Sequence, residues 1–285
     1  MGENSVQNKI TGAYYVLTAA ERKVADYVLS HLSATQFMSI SELAAECGVA
    51  EATVSRFCRR LDYRGYSAFK LEVAKSAAQS QSGQEEEPEL PETPDGIQEL
   101  AGRLTQSYSR ALAQTTALLR PQSVIRAADI LSRASHVYCM GQGGSMILAM
   151  EASHLFSTCL PHYYAIQGSH IQAITAALLG PEDALLYFSY SGSTKDCVDL
   201  LLQARNAGAK VVLITRFPKS PAAAYADVVL QCGSDESPLQ LGSIPARMAQ
   251  LFLVDLLFRE VCRRDSAAVA RNRERTAGAL AEKHL

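Results

Sequence analysis

No stretch of the 285-residue chain approaches the roughly 20 consecutive apolar residues that a membrane span requires. No membrane partner is therefore expected. The opening residues, MGENSVQNKITGAYYVLTAAERK, also lack the charged head and short apolar core of a secretion signal. Paired cysteines are missing: the seven are scattered, odd in number and never spaced C-x-x-C, which argues against a disulfide framework and against a zinc knuckle. A cytoplasmic location, without metal or cofactor, is the expectation. Nucleotide-binding signatures are absent as well. There is no P-loop, and the G-x-G at 141–143 does not complete a dinucleotide fingerprint, because Met146 stands where the third glycine belongs. Finally, neither sign of charge predominates: 27 Lys and Arg against 29 Asp and Glu leave a net charge of −2. If the chain binds nucleic acid, a local patch must do it.

What is present is the composition of a soluble globular protein, 48% apolar and 20% charged, in a chain long enough for two ordinary domains. The composition breaks sharply at SAAQSQSGQEEEPELPETPDG, residues 76–96, rich in Ser, Gln, Glu and Pro. Such a stretch cannot bury enough surface to offset its ordering entropy. The expected organisation is therefore a helical domain over 1–77, a flexible acidic linker over 78–96 and a second domain over 97–285.

In the first part, Thr18 and Glu21 form a T-x-x-E capping box ahead of ERKVADYVLSHL, and Ser39 and Glu42 repeat it ahead of SELAAEC. Gly48 follows as a helix-ending residue in a left-handed turn. The next helix spans about Glu51 to Leu61, with Val54, Phe57, Cys58 and Leu61 on one face. Two short helices joined at Gly48, with Ala44, Gly48 and Val54 at matching spacing, read as a helix-turn-helix. Thr53, Ser55, Arg56, Arg59 and Arg60 then fall on other faces, available to base edges and phosphates, and Arg64 and Lys70 extend the basic surface. A small helical bundle with a solvated basic face has the same spacing. Charge separates the two readings: from Glu51 to Lys75 there are six Lys or Arg against three acids, inside a chain that is negative overall.

The segments LTAAERKVADYVL and MSISELAAECGVAEATVSRFCRRLDYRGYSAFK resemble the N-terminal domain of the RpiR family of bacterial transcriptional regulators. The resemblance implies binding to double-stranded operator DNA, with pairs of modules on half-sites. Two positions depart from the family pattern. Ala50 stands where serine usually caps the recognition helix, and Asp62-Tyr63 replaces the usual Gly-Phe. Asp62 near the DNA face is expected to weaken affinity more than to disturb the fold.

Beyond the linker, two helices (97–119 and 121–134) precede β-rich runs at 136–140, 162–166, 184–189, 210–215 and 227–231. Several runs are apolar throughout, as strands buried on both faces of a parallel sheet are. With helical crossovers between them they predict a three-layer α/β domain with a parallel sheet of about five strands. Two small-residue loops fall at strand ends, where such sheets bind ligands. The first is GQGGS, with Gly141, Gly143 and Ser145. The second is SYSGST, with Ser189, Ser191, Gly192, Ser193 and Thr194. Strand, small-residue turn and helix together make a phosphate site, because a helix N-terminus offers unpaired N–H groups and a partial positive charge. Capping alone explains Ser145 equally well, but not four hydroxyls in the second loop.

The pair of loops is similar to the SIS (sugar isomerase) domain, over roughly 120–262. That resemblance implies a phosphorylated-sugar ligand held by Ser189, Ser191 and Thr194, with Ser145 at the first loop and Glu236 near the sugar. It also implies a homodimer, with pairing into a tetramer as a further option; the late helix ARMAQLFLVDLLFREVCRR fits core and interface equally. A sugar-phosphate isomerase would need a base, for which Glu236 and His170 are the candidates. No paired acid and base stands out, so the expectation is a non-catalytic, ligand-responsive transcription regulator, with an isomerase as the rival. A SIS domain serving only as a dimerisation scaffold is the third reading.

Overall fold

The structure, a computed structural model, describes residues 6–81, 93–234 and 243–281. Cα distances divide it into two compact units, with a boundary between Thr105 and Gln106.

The first unit holds α1 (Val6–Ala13), α2 (Ala19–Ser30), α3 (Leu32–Thr35), α4 (Ile40–Glu46), α5 (Glu51–Arg60) and α6 (Tyr66–Gln81). Both capping boxes form. The Thr18 hydroxyl accepts from the Glu21 amide at 3.3 Å while the Glu21 carboxylate accepts from the Thr18 amide at 2.9 Å, and Ser39 and Glu42 do the same at the head of α4. As expected from Ala50, α5 starts without a side-chain cap; Glu51 in its first turn puts an acid at the positive end of the helix.

Helices α4 and α5 end in the same way. After α4, Gly48 takes φ +61°, its amide donates to Ala45 O and the Val49 amide donates to Ala44 O. After α5, Asp62 takes φ +65°, its amide donates to Arg59 O at 3.1 Å and the Tyr63 amide donates to Cys58 O at 3.0 Å. Both are Schellman motifs, which normally place glycine at the left-handed residue. Thus Asp62 bears on the fold as well, because an L-residue with a Cβ is strained there. The unit closes around Val24, Val28, Leu43, Val54, Phe57 and Phe69, all fully buried.

Helix α6 continues through Gln81, and the next helix, α7 (Pro94–Leu118), starts with proline at its first position, where the missing N–H is harmless. Both ends of the expected linker are therefore helical; residues 82–92 lie outside the described residues.

The second unit begins in α7 and continues with α8 (Pro121–Arg133), β1 (His136–Gly141), α9 (Gly144–Ser157), β2 (Tyr163–Ala165), α10 (Ser169–Leu178), β3 (Asp183–Phe188), α11 (Lys195–Asn206), β4 (Lys210–Thr215), β5 (Val228–Gln231), α12 (Ile244–Arg264) and α13 (Ser266–Ala281). The five strands are all parallel, in the order β2-β1-β3-β4-β5. Alternate residues point to opposite faces. Val137, Cys139, Leu186, Phe188, Val212 and Ile214 pack against α8, α9 and α12, whereas Met140, Leu185, Tyr187, Val211 and Leu213 pack against α10 and α11. This is the expected three-layer domain. Helix α12 belongs to its core: Ala249, Leu253, Val254, Leu257 and Val261 are buried within one protomer. The C-terminal helix α13 is docked by Val269, and by Asn272 Nδ2 donating to Cys159 O at 2.9 Å.

Candidate ligand crevice and DNA-reading helix

The strand order brings the two small-residue loops together. From β1 the chain turns to β2 on one side through α9, and from β3 it turns to β4 on the other through α11. The two connections diverge at this topological switch point, leaving a crevice beyond the carboxyl ends of β1 and β3. Those strands are neighbours, with Gly141 in register with Phe188, so residues 141–145 and 189–194 leave the sheet side by side.

Loop 141–145 is held by contacts the sequence did not reveal. The fully buried Gln172 of α10 donates through Nε2 to Ile166 O at 2.7 Å and to Gly141 O at 3.0 Å, while its Oε1 accepts from Gln142 at 2.8 Å. A glutamine in the largely apolar stretch IQAITAAL was the available signal. Gly141 is required by close approach, since a Cβ there would lie 2.7 Å from Ser145 O. Gly143 is the N-cap residue of α9, and no side chain caps that helix. Ser145, half-buried in the first turn, is therefore not its cap.

Loop 189–194 is braced against the end of β4. The Ser189 amide donates to Ile214 O, and Tyr190 O accepts from the Arg216 amide and the Thr215 hydroxyl. Gly192, at φ +58°, accepts from the Ala222 amide at 3.0 Å, and a Cβ on it would lie 2.1 Å from the Ser220 hydroxyl oxygen. The hydroxyls divide into two kinds. Ser189 is buried and accepts from the Gly192 amide at 3.1 Å, so it shapes the loop. Ser193 donates to Ser191 O at 3.0 Å, and the Ser191 hydroxyl accepts from the Ser193 amide at 3.3 Å, which leaves the Ser191 proton to point elsewhere. Thr194 is the N-cap residue of α11, exposed and making no side-chain capping bond. Its hydroxyl and the first amides of α11 are available to an anion. Glu236 lies outside the described residues.

Burial pushes the thiols of Cys139 and Cys197, on β1 and α11, up to about 12, so neither supplies a nucleophile at neutral pH. His170 is exposed at the head of α10 and lines a cavity of about 260 Å³ with Gln142, Ser169, Asp196 and Asp199. Among the described residues, no three His, Cys, Asp or Glu side chains cluster as a metal site.

In the first unit, α5 follows α4 across the Gly48 turn, the helix-turn-helix arrangement. Arg56, Arg59 and Arg64 are exposed, Ser55 and Lys70 half-buried. One residue differs from the sequence expectation of open availability, and a second stays exposed but is engaged within the unit. Thr53 is buried, with 7% exposure, because it stands one turn before Phe57 and widens the packed face of α5. Arg60 reaches back to α2: its Nε lies 3.3 Å from the Glu21 carboxylate and its Nη1 donates to Val16 O at 2.8 Å. Burial alone would raise the Glu21 carboxyl, but the Thr18 hydrogen bonds, Arg60 and Arg56 outweigh it and hold the group below its usual value. Arg60 thus ties α5 to α2 while its side chain stays 42% exposed.

Comparison with known proteins matches residues 4–80 to the helix-turn-helix domain of the rpiR family and residues 130–259 to the SIS domain. An HTH-type transcriptional regulator of Caldanaerobacter subterraneus subsp. tengcongensis is 30% identical over 272 residues, 94% of each chain. Another, from Haemophilus influenzae, is 29% identical over 99% of this chain and 98% of its own. Among solved structures, the Vibrio vulnificus NanR protein complexed with ManNAc-6P is similar with a TM-score of 0.86, at 24% identity and 98% coverage of both chains. The sugar isomerase domain of an RpiR transcription factor from Sphaerobacter thermophilus matches 62% of this chain and 98% of its own, with a TM-score of 0.57 and 23% identity.

Proposed function

Since this chain belongs to the rpiR family of helix-turn-helix transcriptional regulators and carries a SIS domain, we propose that it senses a phosphorylated sugar or related anionic metabolite and adjusts its hold on operator DNA accordingly. One observation carries the reading: two small-residue loops meet at the switch point of a parallel sheet, with the Ser191 and Thr194 hydroxyls not spent on capping. Ser191, Thr194, Ser145 and the first amides of α9 and α11 hold the phosphate, while Ser189, Gly192, Ser193, Gly141 and Gly143 shape the two loops. The bound ManNAc-6P of the similar NanR structure supports this class of ligand. The two relatives that align along nearly their whole length are named as transcriptional regulators, which favours sensing over isomerisation.

On the DNA side, Ser55, Arg56, Arg59, Arg64 and Lys70 meet the duplex, and Arg60 supports α5. Work as a homodimer in the cytoplasm, each copy reading one half-site, completes the reading. The exposed Ile147 and Met150 of α9 and Ile171, Ile174 and Leu178 of α10 supply apolar surface for pairing. A ligand with unequal affinity for the two states of such a dimer changes operator affinity about 5- to 150-fold, a coupling of about 1–3 kcal/mol.

The test is operator binding by fluorescence anisotropy, titrated with phosphorylated hexoses and amino sugars including ManNAc-6P. An effective sugar phosphate should lose its effect on Ser191→Ala and on Thr194→Ala. Turnover of the sugar at enzymatic rates, or an unchanged response in both variants, would overturn the proposal.

A further inference from the structure

All seven cysteines are free and buried, and two that are remote in sequence meet. Cys159 lies just past the end of α9, and Cys262 stands in the last turn of α12. Their Sγ atoms are 3.7 Å apart, although 103 positions separate them in the chain. The contact is at the opposite end of α9 from the ligand crevice. Helix α13 clamps this corner from outside, with Asn272 Nδ2 donating to Cys159 O and the Thr276 hydroxyl to Thr158 O, each at 2.9 Å.

The two sulfurs are not equally accessible. A cavity of about 310 Å³ between α12 and α13, lined by Arg259, Cys262, Arg263, Val269 and Arg273 among others, ends on Cys262. Cys262 keeps 8% exposure and Cys159 only 2%. A small oxidant arriving from solvent therefore meets Cys262 first, with Cys159 in contact behind it. Packing alone accounts for a buried cysteine. Two sulfurs in contact, with a solvent cavity ending on one of them, supply what thiol oxidation needs: an entry, a first sulfur and a second to resolve it. Burial, and next the neighbouring Cys159, push the Cys262 thiol up to about 12, and Arg273 pulls the other way without cancelling them. Because the thiolate is the reacting form, the pair resists traces of oxidant and answers a sustained supply.

We propose that Cys159 and Cys262 are a reversible redox pair, a modification site for hydrogen peroxide that is separate from the ligand crevice. The Cys262 sulfur attacks one oxygen of the peroxide and the O–O bond breaks, giving a sulfenic acid and one water. The Cys159 sulfur then attacks the sulfenic sulfur and the S–O bond breaks. The departing hydroxyl takes the Cys159 proton and leaves as a second water. Two thiols have lost two electrons and two protons, and the peroxide has been reduced to two waters. A dithiol reverses the change by exchange. The new bond staples the end of α9 to the end of α12 and closes a loop of 103 positions, which constrains the unfolded chain.

The test treats the full-length protein with millimolar hydrogen peroxide, then unfolds it in N-ethylmaleimide to block the remaining thiols. Digestion uses trypsin and chymotrypsin together, because trypsin alone leaves Cys139 and Cys159 on one fragment. Mass spectrometry should find a linked Cys159–Cys262 fragment that dithiothreitol releases, and that is missing from Cys159→Ala and Cys262→Ala. In Cys159→Ala, Cys262 should stop at the sulfenic acid, which dimedone traps. A second readout needs no variant to fold. Once peroxide is removed, oxidised wild type should melt roughly 5–15 °C above the reduced protein, and dithiothreitol should abolish the difference. Wild type that yields no linked fragment, or that links either sulfur to a different cysteine, would overturn the proposal. So would Cys262 driven to sulfinic acid while Cys159 stays a free thiol. A linked product melting at or below the reduced protein would mean that the bond forms only in an opened chain, and the proposal fails there too.

Discussion

Replacing Asp62 by glycine should stabilise the first unit. Asp62 is the left-handed residue of the Schellman motif ending α5, at φ +65°. A left-handed backbone costs an L-residue about 1–2 kcal/mol, less for Asp, whose short side chain tolerates the region. The carboxylate also sits at the negative end of the α5 dipole, an unfavourable placement of about 0.3–1 kcal/mol at low salt. Against these gains, glycine makes the unfolded chain more flexible, a loss of about 0.4–1 kcal/mol. The balance is a gain of about 0.5–1 kcal/mol. For a unit of this size that is a rise of about 2–8 °C in melting temperature, read by calorimetry of the full-length chain as the transition of the helical unit. Asp62→Asn should recover only the charge contribution, and only at low salt. Asp62→Ala, which keeps the steric strain and loses the residue type best suited to bear it, should melt below wild type. The predicted order is Gly, Asn, Asp, Ala. A glycine variant no more stable than wild type, or an alanine variant equal to it, would refute the reasoning.

Three further outcomes follow from the same geometry. Gly192→Ala places a methyl group 2.1 Å from the Ser220 hydroxyl in a left-handed backbone; it should cost about 2 kcal/mol or more by denaturant unfolding and abolish ligand response. Arg59→Ala should weaken operator binding and lower the salt slope by about one, whereas Arg60→Ala should chiefly lower thermal stability, by releasing the buried Glu21 carboxylate from its 3.3 Å partner. Because the Glu21 pKa is lowered in the folded protein, its contribution is complete above the unfolded value of about 4.3 and is lost as pH falls through the folded value. Acid unfolding of the helical unit, followed by circular dichroism, should therefore be less steep in Glu21→Gln, with the two proteins converging at low pH.

Much of this architecture was written in local pattern. Capping boxes announce helix starts because the residues that satisfy a helix terminus are sequence neighbours, and buried parallel strands announce themselves as short apolar runs. The two loops were legible for the same reason: each sits between one strand and one helix. Contacts made by chain crossing were not legible. Thr53 looks exposed on a helical wheel until the width of the buried face is known, and nothing near Arg60 in sequence announces the ion pair that ties it to Glu21 of α2. Gln172 and Arg247 reach the 141–145 loop from helices remote in sequence. For Asp62 the departure from the family pattern was visible, but its weight fell on backbone geometry rather than on DNA affinity alone.

The pairing of β1 with β3 also sets a timetable. Helices α1–α6 build their core from residues near in sequence, and such folds form quickly. The crevice cannot exist until Phe188 has emerged and found Gly141 across an intervening strand and two helices. Domains fold as units from the N-terminus during synthesis. A nascent chain thus completes its helix-turn-helix unit well before it completes the crevice, and the two halves of the molecule come into being in sequence rather than together.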